Sequence, residues 1–343
     1  MQHDNPNERA VTTDSNERDA LGELIQAAGR RPTPSAEVYA QTFAAAHTAW
    51  RRQVSSRRRR QRVYAVAATL AVLAIGLSAV LQLMPEGSSP VIATAVVVVG
   101  DAAVFSPETG TWRPLAEPGI QIGPGSRLRT AADGRTAFRL TRDVSVRINT
   151  DSELVFLSAS ELELIAGTVY VDSGPHNSIG SIEVVTSHGT IRDIGTQFEV
   201  QAVAGSLRVR VREGLVQLYQ SGRLSEEGAA GEEFLIDSAG EIQRDRFSSY
   251  DPGWGWAEAL AGPPNVDGLP VLEFLNWVAR ETGRQIHYEE PGVQLAAGTA
   301  VLHGSAQNLT PMDALDAMLA TTDFKYAVLT SGVIVISRPS VTR

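Results

Sequence analysis

Between Val63 and Met84 the chain runs for 22 residues without an Asp, Glu, Lys or Arg. Wound as a helix, that run rises about 33 Å, and the hydrocarbon core of a bilayer is about 30 Å thick. Ten of its residues are Leu, Ile or Val, each favouring insertion by about 0.3–0.6 kcal/mol. The run predicts a single transmembrane helix over 63–84. Seven arginines crowd the twelve positions before Val63, and after Met84 the next basic residue is Arg113. Cytoplasmic flanks hold the positive charge, so the predicted topology is single-pass, with the N-terminal arm inside and the larger C-terminal part outside. A cleaved signal peptide is the competing reading, and Ala93-Thr94-Ala95 offers a small-residue site. An apolar signal core is shorter, however, and 62 residues ahead of it would be abnormal.

The charge balance divides at the same place. Residues 1–62 carry eleven arginines against seven acids, a net of +4; with −9 overall, the remainder carries −13. An acidic outer portion repels phosphates and argues against nucleic acid as its partner. The arginine cluster is accounted for by topology, so direct DNA contact is not expected of the arm either. The chain has no cysteine. It therefore has no disulfide, no thiolate metal site and no thiol nucleophile, and an exported portion must be held by its core alone.

In the arm, Leu21, Leu24, Ile25 and Ala28 fall at i, i+3, i+4 and i+7, one stripe of a helix ending near Gly29. A second helix is predicted behind Thr33 as N-cap and Pro34, with Tyr39, Phe43, Ala46 and Trp50 along one face. Two such short helices either pack on each other or the membrane surface, or dock their stripes into a protein partner's groove.

Beyond the linker 85–95 the pattern turns to strands. Val144, Val146 and Ile148 alternate with polar neighbours, as do Ile194, Thr196, Phe198 and Val200 with Gln197 and Glu199. Short strands are expected on either side of Gly167. Leu207, Val209 and Val211 occupy odd positions and Val216 and Leu218 even ones, a parity switch that predicts a hairpin turn across Arg212-Glu213-Gly214. The expectation is an all-β domain over 96–250, a sandwich or β-roll. A loop-like linker at 251–267 follows, then a small α+β domain at 268–339 in the order α-β-β-α-β-β. Its elements are a helix bearing Val271, Phe274, Leu275 and Val278, short strands near 285–289 and 299–304, a helix after Thr310-Pro311, and a closing hairpin around Ser331-Gly332.

The search for chemistry gives no catalytic residue, no cofactor site and no metal site. The six histidines show no ligand spacing, and no nucleophile elbow or phosphate-cradling loop is present. Carboxylate pairs such as Glu161 and Glu163 lack a His or Lys in motif, so an anchored hydrolase is a poor reading and the chain is read as a non-enzyme.

The order of parts, together with Gly195-Thr196-Gln197-Phe198-Glu199-Val200, Arg212-Glu213-Gly214-Leu215-Val216-Gln217-Leu218 and Gly231 to Asp237, resembles the FecR family of inner-membrane regulators. Gly195, Thr196, Phe198, Val200 and Gly214 correspond to the family signature, where the glycine serves a bend or bulge and Phe198 and Val200 fill a core. Residues 268–339 resemble the short domain found at the N-terminus of secretins and TonB-dependent receptors. The arm departs most, with Trp50 as its one tryptophan. The resemblance implies an anti-sigma factor that holds an extracytoplasmic-function sigma factor through residues 1–62, with Leu21, Leu24, Ile25, Tyr39, Phe43 and Trp50 as the contact stripe. It implies a periplasmic signal, typically from the signalling domain of a TonB-dependent receptor, and membrane proteases as further partners. Gly76 and Ser78 locally weaken a transmembrane helix and mark a candidate cleavage region. The alternative is a membrane-anchored periplasmic scaffold or envelope-binding module, which predicts a dispensable arm.

Overall fold

The computed structural model describes residues 22–29, 35–46, 90–141, 143–174, 181–203 and 205–339. Two compact units divide the chain, Met1–Gly87 and Ser88–Arg343. The apolar run 63–84, with Gly76 and Ser78, lies outside the described residues, as do Leu21, Thr33, Pro34 and Trp50. Among the described residues no helix is long and apolar enough to cross a membrane.

In the first unit, helices span 22–27 and 36–46. The former ends at Gly29 in the left-handed region (φ 62°). The latter has Ser35 at its start, whose Oγ accepts from Val38 N at 3.5 Å.

The second unit begins with a β domain of 15 hydrogen-bonded strands running from Ala93 to Arg246. Three long strands organise it: Glu161–Asp172, Gly189–Val203 and Ser206–Gln220. Each contributes its two halves to different layers. Residues 197–202 pair with 167–172 on one side and 207–213 on the other. Residues 189–194 pair instead with Glu183–Thr186 and 215–219. One layer therefore includes Ser145–Ile148, Arg135–Leu140 and Glu232–Ile236. The other includes Glu153–Phe156, Ser126–Thr130 and Arg223–Ala229. Apolar side chains from both are sealed between them, and Phe138 of one layer meets Phe156 of the other edge-on with ring centroids 5.0 Å apart.

The corners where the long strands change layer are glycines: Gly167 (φ 90°), Gly195 (φ 67°) and Gly214 (φ 82°). A side chain at Gly167 would strike Ser152, and one at Gly214 would lie 2.4 Å from the carbonyl oxygen of Gly195. The positive φ and the close approach both require glycine. This corrects two expectations. Arg212-Glu213-Gly214 is a bend inside one continuous strand, with the register shifting opposite Gly195, and the parity switch marks that bulge, where a hairpin turn was expected. The strands around Gly167 are likewise one strand.

The C-terminal domain has a sheet ordered Ile286–Tyr288, Ile334–Ser337, Lys325–Val328, the first pair parallel and the second antiparallel. Helices Val271–Thr282, Pro291–Thr299 and Pro311–Leu319 pack on it around Phe274, Leu275, Val278, Leu315 and Ile334. Thr310 caps the last helix, its Oγ1 accepting from Asp313 N at 3.3 Å. The helix Pro291–Thr299 was not expected, and the strand expected near 299–304 is a single bridge between Val301 and Pro270. Proline at its first turn starts this helix and its apolar face is short, so periodicity carried little signal.

Candidate functional site: the junction between the β domain and the C-terminal domain

The outer face of the first layer would be wet if its alternation meant one face in and one face out. It is instead lined with buried charge. Arg147, Asp172, Gln197, Glu199 and Arg212 are all at most 7 % exposed. Strand pairing sets several in one transverse row, in which Arg147 is opposite Tyr170, Tyr170 opposite Glu199, Glu199 opposite Arg210, and Arg210 opposite Glu233. A period of two thus places these charges together as surely as it places Phe198 and Val200 in the core.

Two pieces of chain cover this face. The first is the segment 247–262, most of it within the expected linker 251–267, which packs as a strap. Its Trp254 is fully buried, ring to ring with Tyr170 (5.8 Å) and Phe247 (5.2 Å), and its indole N–H donates to Ser248 O at 2.8 Å. The Trp256 indole donates to Glu199 Oε2 at 2.8 Å. The second is the C-terminal end of helix Val271–Thr282, which brings Arg280 and Glu281.

Paired charges join all three parts. Arg147 donates through Nη2 to both carboxylate oxygens of Glu281 (2.9 and 2.7 Å) and through Nη1 to Ala257 O (2.9 Å). Arg280 is bonded to Asp172 and, at 3.0 Å, to Glu213. Arg212 donates to Ser249 O (2.7 Å) and Glu258 Oε1 (2.6 Å) and lies over the Trp254 ring. Charge-assisted arginine–carboxylate bonds together with bonds to carbonyls are what allow such charges to be buried. A cleft of about 850 Å³ opens beside the network, between Gln197, Arg212, Trp277 and Arg284.

Burial tends to push the Asp172 carboxyl up, but Arg280 and the Gln197 amide (2.9 Å) outweigh it and hold the group below its usual 3.8. For Glu199 burial wins, and its carboxyl is raised above the usual 4.5 despite Trp256 and Arg210. The signs are opposite. Asp172 contributes stability that is present above its unfolded value and lost as pH falls through its lower folded value, whereas Glu199 costs stability as pH rises towards its folded value. Asp172→Asn should therefore destabilise the protein at pH 6 and progressively less below pH 3.8. Denaturant midpoints of the two proteins between pH 6 and 2 check this; a gap constant with pH would remove Asp172 from the acid limb.

The signature residues line the corner of this same face. Gly195 is the bend, Thr196 is buried with its amide N–H donating to Ser173 Oγ at 2.9 Å, and Phe198 and Val200 are core. Thr196 Oγ1 lies 3.4 Å from Asp193 Oδ2. The expected alternation at 194–200 does not hold: Ile194 is half exposed while Gln197 and Glu199 are buried. The bulge at Gly195 turns Ile194 outward, and the strap and the helix cover the other side. In the arm, Leu24, Ile25, Tyr39 and Phe43 are each more than 60 % exposed, and the Tyr39 and Phe43 rings stack at 6.3 Å. Sequence reading missed Arg147, Asp172, Arg212, Glu258, Arg280 and Glu281. The available signals were Trp254 and Trp256 two residues apart in a supposed linker, and charges at alternate strand positions.

No curated protein matches this chain. Two crystal structures of a proposed anti-sigma factor from Parabacteroides distasonis ATCC 8503, at 2.50 and 1.65 Å, are similar in part. Each is 17% identical, with 62% of this chain and 99% of that one covered and TM-scores of 0.33 and 0.34. Residues 126–217, from the strand Ser126–Thr130 into the strand Ser206–Gln220, match the FecR protein family. The match to the FecR family is confined to these residues, within the β domain.

Proposed function

We propose that the chain is a transmembrane signal transducer and anti-sigma factor. Residues 1–62 hold an extracytoplasmic-function sigma factor at the inner face of the membrane, 63–84 span it, and the β domain and C-terminal domain receive a signal in the periplasm. The observation that carries this reading is the FecR match over 126–217. Support comes from the basic flank before Val63 and from the apolar stripe of Leu24, Ile25, Tyr39 and Phe43, exposed as a groove-docking surface must be. A TonB-dependent receptor's signalling domain is the proposed outer partner. The strand Lys325–Val328 is a sheet edge whose exposed Val328 offers backbone groups for strand addition. Membrane proteases cutting near Gly76 and Ser78 would complete the relay.

The test is capture from native lysate with residues 1–62 as bait. One sigma factor is expected, with capture falling at least tenfold for Leu24→Asp/Ile25→Asp. An arm that captures no sigma factor, and whose deletion leaves transcription unchanged, would reduce it to an anchor and leave a periplasmic scaffold.

A further inference from the structure

We propose that the strap 247–262 is a conformational switch, buried while the C-terminal domain is docked on the β domain and uncovered when that domain is drawn away. The strap has little core of its own: among the described residues, Trp254, Ala257, Leu260 and Ala261 are its buried apolar side chains. Its attachment is divided between two neighbours. Arg147, on the β domain, uses one nitrogen for the strap (Ala257 O) and the other for the C-terminal domain (Glu281). Ser249, on the strap, accepts from Arg212 through its carbonyl and donates its hydroxyl to Gly283 O at 2.8 Å. Tyr250 lies against Gly332, with Arg284 stacked 5.2 Å from its ring. Its own turns are closed by local bonds such as Trp254 N to Asp251 O, and Trp256 and Glu258 bond to Glu199 and Arg212 of the β domain, so its hold is shared between that domain and the C-terminal one.

The coupling follows from the cost of an unpaired buried charge. With Glu281 gone, Arg147 keeps a single carbonyl and is driven to find water, and water that reaches Arg147 also reaches Ala257 and the Trp254 ring. Undocking and strap release are therefore one event, while each domain retains its own core, since the two apolar clusters share no residue. A partner that pulls on the C-terminal domain would be read at the β domain as the appearance of residues 248–261, whatever the arm binds.

The cysteine-free sequence makes the test direct. Single thiols are placed in the full chain at buried positions in the strap (Ala257→Cys), the β core (Val200→Cys) and the C-terminal core (Ala314→Cys), and maleimide labelling rates are compared with and without Glu281→Gln. The expected result is a rise of tenfold or more at 257 and no change at 200 or 314. Amide exchange of residues 248–261 in the chain without added thiols should rise in parallel. Arg284→Ala, which removes the stack on Tyr250, is the second variant and should act in the same direction. No change at 257 with either variant would mean that the β domain alone holds the strap. A common rise at all three positions would mean one cooperative unit without a switch. Either result overturns the proposal, and neither depends on capture of a sigma factor.

Discussion

Glu281→Ala is expected to lower the stability of the 88–343 unit by about 3–5 kcal/mol, the usual cost of removing one partner from a buried ion pair. The size comes from what remains. Arg147 is 2 % exposed and its carboxylate partner is gone, while its Nε has no hydrogen-bond partner even in the intact protein. The Tyr170 ring, 5.2 Å from its guanidinium carbon, compensates only weakly. Glu281→Ala should therefore cost far more than the loss of an exposed pair such as Arg139–Asp143, expected at about 0–1 kcal/mol. The double variant Arg147→Met/Glu281→Leu should recover most of the loss, because it buries no charge and keeps the volume. Denaturant unfolding of the wild type, Glu281→Ala, the singles Arg147→Met and Glu281→Leu, and the double variant checks this. A single-variant cost below about 1 kcal/mol, or a double variant worse than either single, would contradict the role assigned to the pair.

Trp254→Ala should be comparably damaging, at about 3–5 kcal/mol for emptying a large aromatic site. The indole fills the space between Tyr170, Phe247 and the Arg212 guanidinium, and it also makes a hydrogen bond to Ser248 O. The cavity left behind would be walled in part by the Arg212 guanidinium, so water would enter it and the strap would loosen with it. Trp254→Phe keeps most of the packing and loses the N–H, and about half of the loss or less is expected. Thermal and denaturant unfolding give the stabilities. If alanine proved as stable as phenylalanine, the tryptophan would not be the packed centre of the strap.

Much of the fold was legible because the core-facing residues follow simple periods. Val144, Val146 and Ile148, the odd-numbered run Leu207 to Val211, and the helix face Val271, Phe274, Leu275 and Val278 are all buried as their spacing requires. The failures share a cause. Alternation says that a strand has two unlike faces, but not that the polar face is wet, and the covering of Glu199 lies 57 residues downstream. A parity switch likewise says that the inward face changes. A turn and a layer-changing bulge both do that, and only the resumption of pairing on both sides of Gly195 and Gly214 separates them. The junction itself was beyond reach: Arg147 and Glu281 stand 134 residues apart, and no local pattern in either segment asks for the other.

The order of strands in the C-terminal sheet has a consequence for how the protein is made. Its middle strand, Ile334–Ser337, is the last in sequence, and both neighbours hydrogen-bond to it. As a nascent chain emerges, Ile286–Tyr288 and Lys325–Val328 have no partner until the strand Ile334–Ser337 arrives, although the last strand of the β domain ends at Arg246. The β sandwich and its strap can thus be made early, but Arg147 gains Glu281 only when the C-terminal domain can fold, after its last strand is made. A ribosome that stops short of 334 would release a folded sandwich whose Arg147 lacks its carboxylate partner, a truncation product that a quality-control protease could recognise.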